Sequence, residues 1–373
     1  MRVVICVDEF PKLSETFVLD HVRVLKRNGY EVQVIANRPS GELSSHAEAK
    51  ALLPLVSFRG TSRVRRWGAT AARALGALRT LPVTDILHCH FGPVGLQHVA
   101  TRNRGTRLVV SFHGYDLIQF PRRHGDRIYE PLFASADLVL SNTEYGRACL
   151  LNLGCPENKI GILPLGIDIS RFTFRKRVWR GEPVVLATVA RLVEKKGIDV
   201  ALRAVARLVK RYPHLRYHIL GDGPLHNSLQ ELAATLGLQD AVVFKGWQSR
   251  DQLVQVLDRA HLLVLPSVMA HDGDVDTQGL VVQEAQAMGL PVIVSRTGGL
   301  AEGVAEGLSG YVVTPGDPLA LAERIEFLFN HPERWPEMGA HGRAFVSERY
   351  SLDRFVERLD TLYRALTTEA TRV

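Results

Sequence analysis

Short runs of β-branched and aliphatic residues alternate along nearly the whole chain with longer stretches whose apolar positions recur at helical spacing. That alternation is the signature of strand–helix–strand units and parallel sheets. A first series predicts strands at Arg2–Val7, Glu31–Ile35, Ile86–His90, Leu108–Phe112, Leu138–Ser141 and Lys159–Leu163. A second predicts them at Val184–Ala190, Tyr217–Leu220, Val242–Phe244, Leu262–Leu265, Val292–Ser295 and Tyr311–Val313. Between the series, RFTFRKRVWRGEP (Arg171–Pro183) breaks both periodicities and reads as a linker. Two tandem α/β domains are expected, an N-terminal one over 1–172 and a C-terminal one over 184–349, joined by a basic linker at 173–183. Helices are predicted at Pro318–Asn330, Pro332–Arg349 and Leu352–Leu366. In the last, within 350–373, Ser351 is placed as an N-cap and Phe355, Leu359, Leu362 and Leu366 share one face that must pack on something.

With 373 residues, 46% hydrophobic and 23% charged, the chain has ample apolar material for a sizeable core. No apolar run reaches the ~18 residues needed to span a bilayer, and the start turns acidic at Asp8 and Glu9 before a signal-peptide core can form. A cytoplasmic location is the expectation. The four cysteines (Cys6, Cys89, Cys149, Cys155) contain no Cys-x-x-Cys pair, so they read as reduced thiols rather than a zinc cluster or disulfide framework. Net charge is +7, and residues 1–174 carry 22 Lys+Arg against 15 Asp+Glu, whereas 175–373 carry 24 of each. The excess concentrates between 51 and 127, where 12 Arg face only Asp85, Asp116 and Asp126. Something acidic is expected to meet the N-terminal half.

Open parallel sheets bind ligands beyond the carboxyl ends of their strands, and two such domains facing one another leave a cleft between them. Residues just after the strands therefore matter most. The second-domain strand ending at Ala190 runs into RLVEKKG, which sets Arg191 and Lys196 beside a helix N-terminus, a plausible diphosphate site. After Ser295, Gly298 and Gly299 permit close backbone approach to a phosphate. GDGP (Gly221–Pro224) lacks the third glycine of the dinucleotide fingerprint and has no Walker pattern, which argues against NAD and P-loop chemistry. Glu284, read as beginning the apolar helix VVQEAQAMGL, can accept paired hydrogen bonds from vicinal sugar hydroxyls such as a ribose. Upstream, Asp272, Asp274 and Asp276 fill the first three positions of a calcium loop, but Thr277 and Gln283 stand where that loop needs Gly and Glu. No metal or cofactor is expected.

In the first domain HGYDL follows a strand and sets His113 and Gly114 at the cleft. His88 and His90 bracket Cys89 in HCHFGP; strand alternation sends Cys89 to the opposite face, which leaves two metal ligands at best and makes this stretch a cleft wall. Ser14, Glu15 and Thr16 in EFPKLSETF either cap a helix or contact an acceptor.

Taken in order, FPKLSETFV, HCHFGP, FHGYD, SNTEYGRACLLNLGCPENKIGILPLGIDISRF, VARLVEKKGID, ILGDGP, VFKGW, LPS, QEAQAMGLPVIVSRTGGLAE and GYVV resemble the family-four retaining glycosyltransferases of the GT-B fold. FPxxSETF and HFGP are similar to its exopolysaccharide, colanic-acid-type branch. The resemblance implies two Rossmann-like domains and a C-terminal helix crossing back to the first. It implies a sugar nucleotide, UDP- or GDP-linked, on the second domain and a glycan acceptor on the first, with Ser14, Glu15, His90 and Gly114 among the acceptor-side candidates. Arg191 and Lys196 would bind the donor diphosphate, Glu284 the ribose, Phe244, Lys245 and Gly246 the base, and Gly298 with Gly299 the diphosphate or sugar. His113 would contact the transferring sugar, and Asp276 falls where the family's first glutamate contacts its hydroxyls, one methylene shorter; matching the common Glu-Gly-Leu instead puts Gln278 there, at the wrong spacing. The stretch Arg59–Arg79 would suit an anionic membrane and a polyprenyl-diphosphate-linked acceptor. Two alternatives keep the diphosphate site: a transferase acting on a small natural product, and a sugar-nucleotide epimerase, for which HGYDL supplies only Asp116 as an acid/base carboxylate. Nucleic-acid binding is not expected with aromatics at 7%.

Overall fold

The structure, a computed structural model, describes residues 1–12, 15–40, 47–59 and 82–370. The chain divides into two compact units: the segment up to Gly166 together with the final helix, and Ile167–Ser351.

In the first unit seven strands pair in parallel: β1 (Arg2–Phe10), β2 (Glu31–Pro39), β3 (Val56–Phe58), β4 (Ile86–His90), β5 (Arg107–Phe112), β6 (Leu138–Ser141) and β7 (Ile160–Ile162), in the order β3-β2-β1-β4-β5-β6-β7. The central strands are continuous apolar runs because both sheet faces are covered. One face buries Val3, Ile5, Val34 and Leu140; the other buries Val4, Leu87, Leu108 and Val110. β1 runs three residues past the predicted Val7, since Glu9 and Phe10 still pair with Arg38 and Pro39 while Arg38 bridges Asp8 and Glu9. The sequence pattern missed β3, which at three residues is too short to show alternation. The final helix, Leu352–Ala370, buries Phe355, Val356, Leu359 and Tyr363 in the first of these clusters.

The second unit has six parallel strands, β8 (Val185–Val189), β9 (Arg216–Leu220), β10 (Val242–Phe244), β11 (Leu262–Leu265), β12 (Val292–Ser295) and β13 (Gly310–Val313), in the order β10-β9-β8-β11-β12-β13. Trp335 is fully buried here and donates to the Leu328 carbonyl at 2.9 Å. The stretch expected as a linker is folded into this unit. Phe172 is completely buried, and Arg177, only 4% exposed, donates to the carbonyls of Asp258, Ala260 and Met288. Its charge pattern resembled a solvated segment because the acceptors of Arg177 are backbone oxygens, which a sequence does not display.

Candidate active site

Each sheet reverses its strand order at one place, β1 beside β4 and β8 beside β11. Such switch points open a crevice outside the carboxyl ends of the strands, the usual ligand position in this architecture. Lys196 and Asp276 lie at the second of these points, and His90 and His113 at the first.

In the second unit, the turn after β8 carries Arg191–Lys196 and the turn after β11 carries Ser267–Asp276. They meet because Gly197 (φ 60°) presses against the Pro266 carbonyl, where an added Cβ would stand 2.0 Å from the oxygen. Lys196 Nζ lies 2.8 Å from both carboxylate oxygens of Asp276, and Ser267 Oγ donates to Asp276 Oδ2 at 2.7 Å. Lys195 Nζ is 3.0 Å from Asp274 and 3.8 Å from Asp276. Burial works against ionisation of Asp276, but Lys196, Lys195 and the hydroxyl of Ser267 outweigh it and hold the carboxyl below its ordinary range. Asp276 thus neutralises Lys196 in place, a pairing that sequence spacing did not reveal. Its main chain is tied in as well: Gly299 N–H donates to the Asp276 carbonyl at 3.0 Å, and Gly298 (φ 54°) packs so closely that a Cβ would stand 2.1 Å from that oxygen. The Gly299 amide is therefore spent on protein, while Gly298 N–H has no acceptor among the described residues. Arg191 is exposed, and among the described residues its guanidinium makes no ion pair.

Glu284 sits in the second turn of the helix Leu280–Ala287, one turn later than the expected start, and its carboxylate lies 3.9 Å from Arg250. At the end of β10, Phe244 packs on the His226 ring; just beyond it, Lys245 N–H donates to the Ile219 carbonyl and the Gly246 carbonyl accepts from Gly221.

At the β1/β4 switch point four side chains form one hydrogen-bonded chain. His21 Nδ1 lies 2.9 Å from His90 Nε2, His90 Nδ1 lies 2.9 Å from His113 Nε2, and Asn142 Nδ2 lies 3.2 Å from His113 Nδ1. Phe17 and Phe91 flank the His113 ring at centroid distances of 4.6 and 4.8 Å. His88, on the same strand face as His90, bonds Tyr363 OH at 2.6 Å and Ser111 Oγ at 2.7 Å. Asp116 accepts from the backbone N–H groups of Gly92, His113 and Gly114 at 3.0, 3.0 and 2.9 Å, so it fastens the HFGP turn to the HGYD turn. His21, Asn142 and this fastening by Asp116 were not anticipated. The available signal for His21 was its place four residues after Phe17 on the helix Thr16–Arg27, one face of which must meet the strand end that carries His90.

His21 corrects the expectation of at most two imidazoles here, since His21, His88 and His90 bring three ring nitrogens within 4.8 Å of one another. Cys89 does point to the other face, but it pairs in register with Cys6 and both lie near His98, so these two thiols are neighbours rather than scattered; all four cysteines are unbridged. Glu15 stands at the helix cap position without a side-chain capping bond and pairs with Lys12 at 2.7 Å. Ser14, and the basic stretch after Arg59, lie outside the described residues.

Burial drives the pKa of His21, His88, His90 and His113 far down, His90 to about 3, so the folded protein holds all four neutral. Unfolding frees them to bind protons below their ordinary pKa of about 6.5, so stability should fall as pH drops from 7.5 to 5. Asp116 works in the opposite sense. Burial pushes its carboxyl up to about 6 against its three backbone bonds, and its effect is confined to pH values between about 4 and 6. Four imidazoles outnumber one carboxyl, so urea midpoints at pH 7.5 should exceed those at pH 5; equal midpoints would contradict neutral burial.

Comparison with known proteins adds the decisive observation. Residues 14–171 match the family model "Glycosyltransferase Family 4" and residues 170–345 match "Glycosyl transferases group 1". The putative colanic acid biosynthesis glycosyltransferase WcaL of Salmonella typhimurium is 30% identical over 87% of this chain and 90% of its own. The chain belongs to the family-four glycosyltransferases. This transferase is also 31% identical to the amylovoran biosynthesis glycosyltransferase AmsK of Erwinia amylovora, over 86% and 89% of the two chains. Its fold matches Anabaena HepE, solved in complex with UDP, with a TM-score of 0.79 at 17% identity, covering 98% of this chain and 99% of that one. It is a GT-B-type enzyme related to those of exopolysaccharide biosynthesis. Among the described residues no helix is long and apolar enough to cross a membrane.

Proposed function

We propose that this transferase moves a hexose from a UDP- or GDP-sugar, with retention of configuration, onto a hydroxyl of a lipid-linked glycan on the cytoplasmic side of the cell membrane. The observation that carries the reading is the Lys196–Asp276 pair at the β8/β11 switch point, with Gly298 packed on the Asp276 carbonyl and Arg191 on the same turn as Lys196. Breaking the anomeric C–O bond builds positive charge on the sugar and negative charge on the departing diphosphate. Fixed cations and an N–H group at that leaving group stabilise the transition state. An ammonium has three donor protons; two go to Asp276, and the third serves a phosphate oxygen. The acceptor oxygen bonds to the anomeric carbon on the face the diphosphate leaves, and its proton passes to the diphosphate oxygen. Arg191 and Lys196 supply the positive charge that a divalent ion supplies elsewhere, so the reaction needs no metal.

HepE, of the same fold, supports a uridine nucleotide, and WcaL and AmsK support a cell-surface polysaccharide acceptor. The arginine excess between 51 and 127 suits an anionic, membrane-borne acceptor. The epimerase reading loses support because the carboxylate it would need, Asp116, is buried and committed to three backbone N–H groups. To test the proposal, vesicles carrying a polyprenyl-diphosphate-linked glycan are incubated with each nucleotide sugar in the presence of EDTA. The expected product keeps the donor's anomeric configuration, and transfer weakens as salt is raised. Inverted product, or activity abolished by EDTA, would overturn the mechanism.

A further inference from the structure

The chain of imidazoles at the β1/β4 switch point has a direction. Asn142 approaches His113 Nδ1 with its amide nitrogen at 3.2 Å, so that nitrogen of the ring is the acceptor and the proton sits on Nε2. His113 Nε2–H then donates to His90 Nδ1 at 2.9 Å, and His90 Nε2–H donates to His21 Nδ1 at 2.9 Å. The proton of His21 is left on Nε2, which is buried and has no partner among the described residues. His21, His90 and Asn142 are respectively 1%, 2% and 5% exposed. Every link is thus in a low-dielectric setting, where neighbouring hydrogen bonds polarise one another and one polarity spreads along the whole chain. The four groups come from four elements: the helix after β1, the end of β4, and the turns after β5 and β6.

We infer that His90 and His21 are positioning residues that hold His113 as the Nε2–H tautomer, so that His113 Nδ1 is presented as a hydrogen-bond acceptor for a hydroxyl of the transferred sugar. The inference rests on the proposed donor reading and deepens it. When a sugar hydroxyl arrives it takes the place of the Asn142 amide as donor to Nδ1, and the ring needs neither to flip nor to change its protonation. A His113 free to choose its tautomer would offer an N–H in part of the population, and a protonated one would offer only N–H groups. The titratable groups that bear on the chain are His21 from the first helix, His88 stacked on His90 at 5.0 Å, Asp116 below the His113 amide, and Tyr363 from the final helix on His88. A neutral chain keeps the acceptor available across the physiological range.

Three variants and two readouts test this. In uniformly ¹⁵N-labelled protein, long-range ¹H–¹⁵N spectra report each imidazole tautomer without any need for turnover. Wild type should show His113 as Nε2–H. His90→Leu removes the acceptor, so His113 should become a mixture of tautomers and titrate nearer the ordinary histidine range. His90→Asn restores an amide oxygen at the δ position and should return the wild-type signature; His21→Leu should give a weaker form of the His90→Leu result. In transfer assays, kcat of His90→Leu should fall about tenfold, the value of one buried hydrogen bond. It should also acquire an acid limb near pH 6.5 that wild type lacks, with the donor KM nearly unchanged. Far-ultraviolet circular dichroism and a cooperative urea transition like those of wild type confirm that the variants are folded. An Nδ1–H His113 in wild type, or a His90→Leu enzyme with an unaltered His113 spectrum, would overturn the inference whatever the enzyme transfers. Normal tautomer shifts with no transfer from any nucleotide sugar would instead overturn the donor reading and, with it, the acceptor role given to Nδ1.

Discussion

Arg191→Ala should lower turnover on the enzyme's nucleotide sugar on the order of a hundredfold or more, the scale expected when a preorganised charge at a leaving group is removed. The local charge balance explains why this residue matters so much. Lys195 and Lys196 face Asp274 and Asp276, with the closest contacts at 3.0 and 2.8 Å, so these four groups sum to zero. Arg191, exposed and without an ion pair among the described residues, supplies the net positive charge beside them. Its loss should weaken nucleotide binding as well as slow the chemical step. Lys196→Ala should also cost on the order of a hundredfold or more in turnover, but by a different route. Asp276, 6% exposed, would keep only Ser267 and the more distant Lys195, and would stand as an under-compensated negative charge at the point where the diphosphate gains its own. Asp276→Asn separates the two effects, since it frees Lys196 without leaving a buried charge, and should bind nucleoside diphosphate more tightly than wild type. Steady-state kinetics alongside binding for the three variants checks the scheme; near-normal rates in both alanine variants would sink it.

Asp116→Ala should destabilise the first unit by about 3–5 kcal/mol. The carboxylate satisfies three backbone N–H groups in a buried setting, and each donor left without a partner costs ~1–3 kcal/mol. The site leaves little space for the chain to rearrange. At Gly92, one of the three donors, an added Cβ would stand 2.5 Å from Phe112 and 2.6 Å from Tyr129, and the Tyr129 hydroxyl itself bonds the Asp116 carbonyl at 2.9 Å. Asp116→Asn should cost less, because one oxygen survives to accept, although the new amide turns its own protons towards the remaining N–H group or groups. Urea unfolding at pH 7.5 measures both, and a loss below about 1 kcal/mol for the alanine variant would show that the two turns do not depend on this carboxylate.

What the sequence revealed and what it hid divide along physical lines. Continuous apolar runs such as Leu262–Leu265 and Val292–Ser295 announce buried parallel strands, and both were read to the residue. Charged strand ends were harder. β1 continues through Asp8 and Glu9 because Arg38 on the neighbouring strand compensates them, a partner 29 or 30 residues away in the chain. The positions of Arg191, Lys196, Gly298 and His113 after their strands followed from the rule that parallel sheets use their carboxyl edges. Their mutual geometry did not, since the Lys196–Asp276 pair spans 80 residues and the His21–His90 link spans 69. The linker misreading has the same origin: basic side chains look solvated until the carbonyls that receive Arg177 are in place.

The central claim is that Arg191 and Lys196 form the donor diphosphate site. Titration calorimetry of wild type and Arg191→Ala with UDP, GDP, ADP and dTDP, each with and without EDTA, tests it most directly. The account predicts that wild type selects one of these nucleotides, that EDTA does not change its affinity, and that Arg191→Ala binds it at least tenfold more weakly, the value of one charge-assisted contact of about 1.4 kcal/mol. Equal affinity in wild type and Arg191→Ala, or binding that disappears with EDTA, would contradict it.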